Sequence, residues 1–366
     1  MSRLNLIIFF LLCILILIGS CTKYQALESY AETLRVKNKI PGMAIAVVGA
    51  DTILELFTLG VRRHKHPDMI QLNDRFHLGS VTKAMTSYAA GYLVEKGWID
   101  WSTTIREVFP DWKENIDSIY WDTSLGALLS HRGRIQEFWV EEEFDSIYIE
   151  KQDKSDQRTA FIEYVLNRPP ITPDSLGFRY SNAGYSIAAQ MLEKAGGRSW
   201  EDLMLKIFNQ DLELNIGFAW PNKTDENQPW GHWIENGQLI ACPPDDDYDL
   251  DWIEPGGDVN ISLPNYCKFI QLNLKGLLGE DNYLQSKTYL TLHTDFDDAV
   301  YAYGWGNTQK DDRNYSFHGG SAGTFLVNVT IDKSASVAYI IMMNTDSPRA
   351  REVVNKLVKR MEEEYG

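Results

Sequence analysis

Cysteine is scarce in this 366-residue chain, four in all, too few for a disulfide scaffold. Positive charge is short as well: 35 Lys and Arg stand against 51 Asp and Glu, a net charge of −16. Nucleic-acid backbones are held mainly by Lys and Arg, so this balance argues against a nucleic-acid partner. The sequence has no internal repeat, no low-complexity linker, no Gly-rich phosphate loop and no dinucleotide fingerprint, so no cofactor is implied. His64, His66, His77, His232 and His293 lack metal-ligand spacing, and no metal is expected. What is present is ordinary globular composition, with 23% charged, 44% hydrophobic and 12% aromatic residues. That excludes a disordered or fibrous chain and fits a large acidic enzyme.

One apolar run stands out. Leu6–Ile18 follows Met1-Ser2-Arg3 and precedes Gly19-Ser20-Cys21. It is shorter than the about 20 residues a bilayer core needs, and its basic start and small-residue end describe an export signal. Ile18-Gly19-Ser20-Cys21 resembles a bacterial lipobox, which makes Cys21 the lipidated first residue of the mature protein. Thr22 rather than Asp after it leans towards outer-membrane sorting. The alternative is an uncleaved membrane anchor. Either way the globular part is tethered outside the cytoplasm, at a bacterial cell envelope. The expected organisation is a signal peptide over 1–20, a tether over 21–26 and one domain over 27–366. Cys242 and Cys267 then remain, as a pair or as two separate buried thiols.

The body reads as strands at both ends around a helical middle. Ala26–Lys39 places Leu27, Tyr30, Ala31 and Leu34 on one helical face, and Pro41-Gly42 ends it. Met43–Val48 and Thr52–Val61 form a hairpin at Gly49-Ala50-Asp51, and Phe325–Ile331 with Val337–Met343 form another. Residues 349–364 form an amphipathic helix with Val353, Val354, Leu357, Val358 and Met361 inward. Thr82–Lys96 and Asn182–Ala195 are helical, closed by Gly97 and by Gly196-Gly197. Residues 136–160 and 209–255 read as irregular. The fold class is α+β: an antiparallel sheet built from both chain ends (27–79 and 300–366) flanked by terminal helices, and a mainly helical lobe (80–299), with the active site between them.

Three short motifs carry chemistry. In Ser80-Val81-Thr82-Lys83 the amine stands one helical turn from the hydroxyl, where a Lys kept neutral by burial acts as base for a serine nucleophile. The helix start also offers unpaired N–H groups to an oxyanion. Ser20-Cys21-Thr22-Lys23 matches the same pattern, so alone it is weak. Tyr180-Ser181-Asn182 supplies a phenol whose pKa a nearby ammonium can lower, and an amide able to hold a substrate carbonyl or the lysine. Its bland reading is a helix start with Asn182 as N-cap. His318-Gly319-Gly320-Ser321 lets backbone lie close to a ligand, with the Ser321 N–H as a second oxyanion donor. His131-Arg132-Gly133 repeats that His-x-Gly pattern.

Their order and spacing resemble the three boxes of serine β-lactamases and penicillin-binding proteins. The flanks agree: Pro41–Val48, Phe76–Thr86, Leu128-Leu129-Ser130-His131, Phe178–Tyr185, Glu254-Pro255-Gly256-Gly257-Asp258-Val259 and Tyr303-Gly304-Trp305-Gly306 each resemble a family segment. The resemblance runs from about residue 27 to 345 and is nearest to the class C-like branch. It implies a serine hydrolase working through an acyl-enzyme on Ser80, with Lys83 and Tyr180 managing the proton. Asn182 would then bind the acyl group, and the Ser80 and Ser321 N–H groups would bind the oxyanion. His318, Gly319 and Gly320 line the substrate side.

Two departures bear on substrate. Where relatives carry Lys-Thr-Gly this chain has His318-Gly319-Gly320, a partly charged imidazole and no hydroxyl for a substrate carboxylate. An esterase, D-amino-acid peptidase or weak β-lactamase is expected, on a small-molecule or peptide acyl substrate. Arg132-Gly133-Arg134 replaces the usual Thr-Ser-Gly and can add positive charge near the cleft. A DD-peptidase of peptidoglycan and a slowly turning-over acyl-binding sensor remain as alternatives. Trp220, Trp230, Trp233 and Trp252 either line a groove or pack under a loop. The sequence leaves the oligomeric state open.

Overall fold

The computed structural model describes residues 26–114, 116–138, 153–172, 177–246, 250–294 and 300–366. The signal, Cys21 and residues 139–152, part of the stretch read as irregular, lie outside the described residues.

Helix α1 (Leu27–Asn38) precedes the hairpin β1 (Gly42–Gly49) and β2 (Ile53–Gly60), and a short strand β3 (Arg75–His77) leads into α2 (Thr82–Glu95). The helical lobe continues with α3 (Lys154–Leu166) and α4 (Asn182–Gly196). Then come β4 (Gly217–Phe218), the hairpin β5 (His232–Glu235) and β6 (Gln238–Ala241), β7 (Val259–Ser262) and α5 (Leu263–Leu277). The chain ends with β8 (Gly306–Lys310), β9 (Arg313–Ser321), β10 (Leu326–Asp332), β11 (Val337–Met343) and α6 (Pro348–Tyr365).

The main sheet runs β2-β1-β11-β10-β9-β8, and its neighbouring strands pair antiparallel. It is assembled from both chain ends, as expected. Its central strands read as continuous apolar runs because both faces are covered. Met43, Ile45 and Val47 pack with Val337, Tyr339, Ile341 and Met343 against Leu27, Ala31 and Leu34 of α1 and Val353, Leu357 and Met361 of α6. The alternate residues Ala44, Ala46, Val48, Ala338, Ile340 and Met342 join the core of the helical lobe. The two-residue period thus divides one sheet between two cores.

The expected spans hold to within two residues, with corrections. α2 is buried nearly all round, including Thr82, Lys83, Thr86 and Ser87, because α4, the 251–256 turn and the short helices Trp200–Met204 and Ser286–His293 pack around it. The irregular regions are more ordered than expected: α3 begins at Lys154, and β5 and β6 turn at Asn236 (φ 48°) and Gly237 (φ 76°), an Asn-Gly hairpin signal. Cys242 and Cys267 are free and buried. Trp220 is buried with its ring stacked on His77 at 4.7 Å, and Trp252 stacks on Phe161, so both are packing residues.

Candidate active site

A second, three-stranded sheet, β3-β7-β4, positions the nucleophile segment. β3 pairs with β7, and the Leu78 N–H extends the ladder to Val259 O at 2.8 Å. Gly79 then turns the chain at φ +53°, and a side-chain carbon there would stand 2.4 Å from Ser321 N. Both the left-handed backbone and the close approach demand glycine. Ser80 follows in a 3-10 turn, Gly79–Val81, at the head of α2. From the opposite side the end of β9 presses in: a carbon added to Gly320 would meet Leu78 O at 2.0 Å and Ser80 N at 3.0 Å. The backbones of Ser80 and Ser321 therefore lie side by side. Gly319 faces open space. The Ser321 hydroxyl serves its own turn, donating to Asp346 Oδ2 at 2.6 Å and accepting from Gly323 N–H.

Lys83 is fully buried. Its Nζ donates to Asn182 Oδ1 at 2.7 Å and to Gly256 O at 2.6 Å, and lies 3.3 Å from Ser80 Oγ. Desolvation holds its pKa well below the ordinary lysine value. In its uncharged form the amine has two N–H bonds and one lone pair; the two short contacts would then use both hydrogens and leave the lone pair towards the Ser80 hydroxyl.

Ser181, not Asn182, is the N-cap of α4, its hydroxyl accepting from Gly184 N–H at 2.9 Å. Asn182 is thereby freed to face inward, with its amide shared between Lys83 and Phe138 O at 2.7 Å. Tyr180 is hydrogen-bonded to Ser80, yet burial raises its pKa rather than lowering it. Desolvation outweighs the hydrogen bond from Ser80, which acts in the opposite sense.

His318 is buried, and here too an expectation is corrected: desolvation, with Lys83 adding to it, lowers its pKa to about 3. It is neutral at physiological pH, not partly charged. Its Nδ1 donates to Gly319 O at 2.7 Å, so its Nε2 accepts from the Tyr301 hydroxyl at 2.8 Å.

The three motifs lie together, and three further groups join them. Gly256 supplies a backbone carbonyl, which no side-chain pattern reveals. Tyr301 precedes the Tyr303-Gly304-Trp305-Gly306 segment. His131, the second His-x-Gly match, packs its ring 4.2 Å from that of Tyr180, and its Nδ1 accepts from Ser181 N–H at 3.1 Å. Arg132 is spent on backbone carbonyls, bonding Ser130 O and Tyr301 O at 2.9 Å each, and Arg134 is exposed.

A hydroxyl beside a buried amine of lowered pKa at a glycine-framed helix start fits a serine hydrolase. The family model described as Beta-lactamase matches residues 27–360, and the chain belongs to that family. It is 24% identical over 192 residues to "Penicillin-binding protein 4" of Amycolatopsis lactamdurans, covering 52% of this chain and 48% of that one. It is 23% identical over 276 residues to "Beta-lactamase" of Escherichia coli K12, covering 73% of this chain and 67% of that one. The chain thus spans about half to two thirds of these curated relatives. Among solved structures it is similar to a class C beta lactamase from Rhodobacter sphaeroides, with a TM-score of 0.74 and 15% identity over 92% of this chain and 99% of that one.

Proposed function

We propose that this protein is an acyl-enzyme hydrolase of esters or amides whose nucleophile is Ser80 and whose base is Lys83. The observation that carries this reading is the double restraint on Nζ by Asn182 Oδ1 and Gly256 O, which aims its free electron pair at Ser80. In acylation the Ser80 oxygen bonds to the substrate carbonyl carbon as its proton passes to Lys83. The Ser80 and Ser321 N–H groups receive the oxyanion. Collapse expels the alcohol or amine, which takes up that proton through the Tyr180 hydroxyl. Water then attacks the ester, giving its proton to the same pair, and Ser80 leaves protonated. Tyr180, held as a phenol by burial, is a shuttle in both halves.

The leaving-group side carries a neutral imidazole already committed to Tyr301 and Gly319. That favours uncharged acceptor groups over carboxylate-bearing ones, hence an esterase or D-amino-acid amidase over a dedicated β-lactamase. A lipid on Cys21 would hold the domain at the bacterial envelope; among the described residues no helix is long and apolar enough to cross a membrane.

Intact-mass analysis of the full-length chain with a simple ester, a D-Ala-D-Ala peptide and a β-lactam reads capture and turnover together. The expected result is a transient acyl adduct and repeated turnover with the ester, both absent in Ser80→Ala. A stable adduct without turnover would make the protein an acyl sensor, and cleavage of the peptide alone a DD-peptidase. Full turnover by Ser80→Ala would end the acyl-enzyme reading.

A further inference from the structure

The carbonyl that restrains Lys83 belongs to a 3-10 turn, Asp251–Gly256, and that turn is gripped from two sides. On the inner side it presents two successive carbonyls to α2. Pro255 O accepts from Thr86 Oγ1 at 2.7 Å, and Gly256 O accepts from Lys83 Nζ at 2.6 Å. Lys83 and Thr86 are three residues apart, so they stand on one helical face. On the outer side, among the described residues, the turn is anchored by the Glu254 side chain. The Glu254 carboxyl is buried, with one oxygen on Lys154 and the other 3.6 Å from Arg158 Nη2. Arg158 is itself fully buried on α3 and also pairs with Glu193 of α4 and with Glu201. Three segments of the helical lobe are tied to one guanidinium, and through Glu254 to the turn. The main chain adds a further hold. Glu254 O accepts from Gly257 N–H and Asp258 N–H, and the Asp258 carboxylate takes Ala219 N–H at 2.9 Å and His77 Nε2 at 3.1 Å.

We propose that Glu254 and Arg158 are positioning residues for Lys83, acting through the Gly256 carbonyl. The inference rests on the acyl-enzyme reading above, because it concerns the amine which that reading makes the base. A carbon added at Gly256 would come within 3.1 Å of Nζ, so the turn sits too close to the amine to shift without moving it. If the outer anchor is lost, the carbonyl is no longer fixed, one N–H of Lys83 loses its partner, and the lone pair is no longer aimed at Ser80. The charged groups facing Glu254 are Lys154 and Arg158 of α3 and Asp258 beyond the turn. Burial and Asp258 push its carboxyl up, against the downward pull of the two cations. Its charge is therefore sensitive to each of these three neighbours.

The test uses the full-length chain in detergent and two readouts: the acylation time course with a simple ester, and the titration of Lys83 followed by its 13Cε signal, assigned by its loss in Lys83→Arg. In Glu254→Gln, acylation is expected to slow about tenfold with KM within about twofold. The Lys83 titration should rise by about one unit as water reaches the loosened turn. Thr86→Val should give a smaller change of the same kind, and the pair should be non-additive, since both act on one turn. Arg158→Lys, which keeps the charge, should recover most of the wild-type titration. An unmoved Lys83 titration in Glu254→Gln, whether or not the melting temperature falls, would overturn the proposal and leave Glu254 a purely structural residue. If wild-type protein is never acylated but its Lys83 titration responds to Glu254→Gln, the positioning stands and the hydrolase reading falls.

Discussion

Two buried cations in the same lobe are treated in opposite ways. Arg158 is surrounded by the carboxylates of Glu193, Glu201 and Glu254, and a guanidinium keeps its proton in any protein setting. Lys83 is equally buried, yet its acceptors are a side-chain amide oxygen and a backbone carbonyl. Neutral acceptors satisfy its N–H groups without compensating a charge, so burial pushes its pKa well down. The contrast shows what would suit this lysine to the role of base proposed above. It is the kind of oxygen placed around it, not depth alone. The carboxylates are nearby, but they are gathered on Arg158, and only a main-chain turn passes between the clusters.

The largest expected effect comes from removing the cation where charge is compensated. Arg158→Met should lower unfolding free energy by about 3–5 kcal/mol, because it leaves buried carboxylates unpaired. Denaturant titration checks it, and a loss below about 1 kcal/mol would mean the cluster is not charged as drawn. Next is the reverse change, a carboxylate placed beside Lys83. Asn182→Asp should raise the lysine pKa by about 1–3 units and slow acylation about a hundredfold at pH 7. The rate should recover as pH rises and the ammonium loses its proton. A flat pH profile would erase the distinction between the two clusters. The smallest effect concerns the other neutralised group in the site. The folded pKa of His318, about 3, lies below the unfolded value near 6.5, so the unfolded chain takes up the proton first as pH falls. Its contribution is intact above pH 6.5 and declines below it, by about 2 kcal/mol at pH 5. In His318→Gln that part of the acid slope should disappear.

The sheet lobe is legible in the sequence because its apolar residues recur with a period of two in the hairpins and of 3.6 in α6. Ser80, Lys83, Tyr180 and His318 are legible as well, because their motifs are short and local. The support of Lys83 is not. The buried face of α3 is Arg158, Phe161, Ile162 and Val165, a helical spacing whose first position is charged, so a search for apolar periodicity misses it. Its partners Glu193, Glu201 and Glu254 are distant in sequence, and nothing local pairs them. Asn182 reads as a cap because Asn caps helices well. Only the fold shows that Ser181 has taken that place. The hairpin at Asn236-Gly237 and the apolar spacing of Leu263, Tyr266, Cys267, Ile270 and Leu274 in α5 are visible signals that a motif-led reading passes over.

The contact of Gly320 with the Ser80 turn also carries information about time. Gly320 lies on β9, which is joined through β10 and β11 to β1, so the wall facing the nucleophile is complete only when the C-terminal strands have paired with the N-terminal hairpin. A growing chain that has already made Ser80, Lys83, Tyr180 and Asn182 still lacks the second backbone donor and the glycine that lets it approach. On the acyl-enzyme reading the serine would remain an ordinary alcohol throughout synthesis, and its reactivity would arrive only with the last strands.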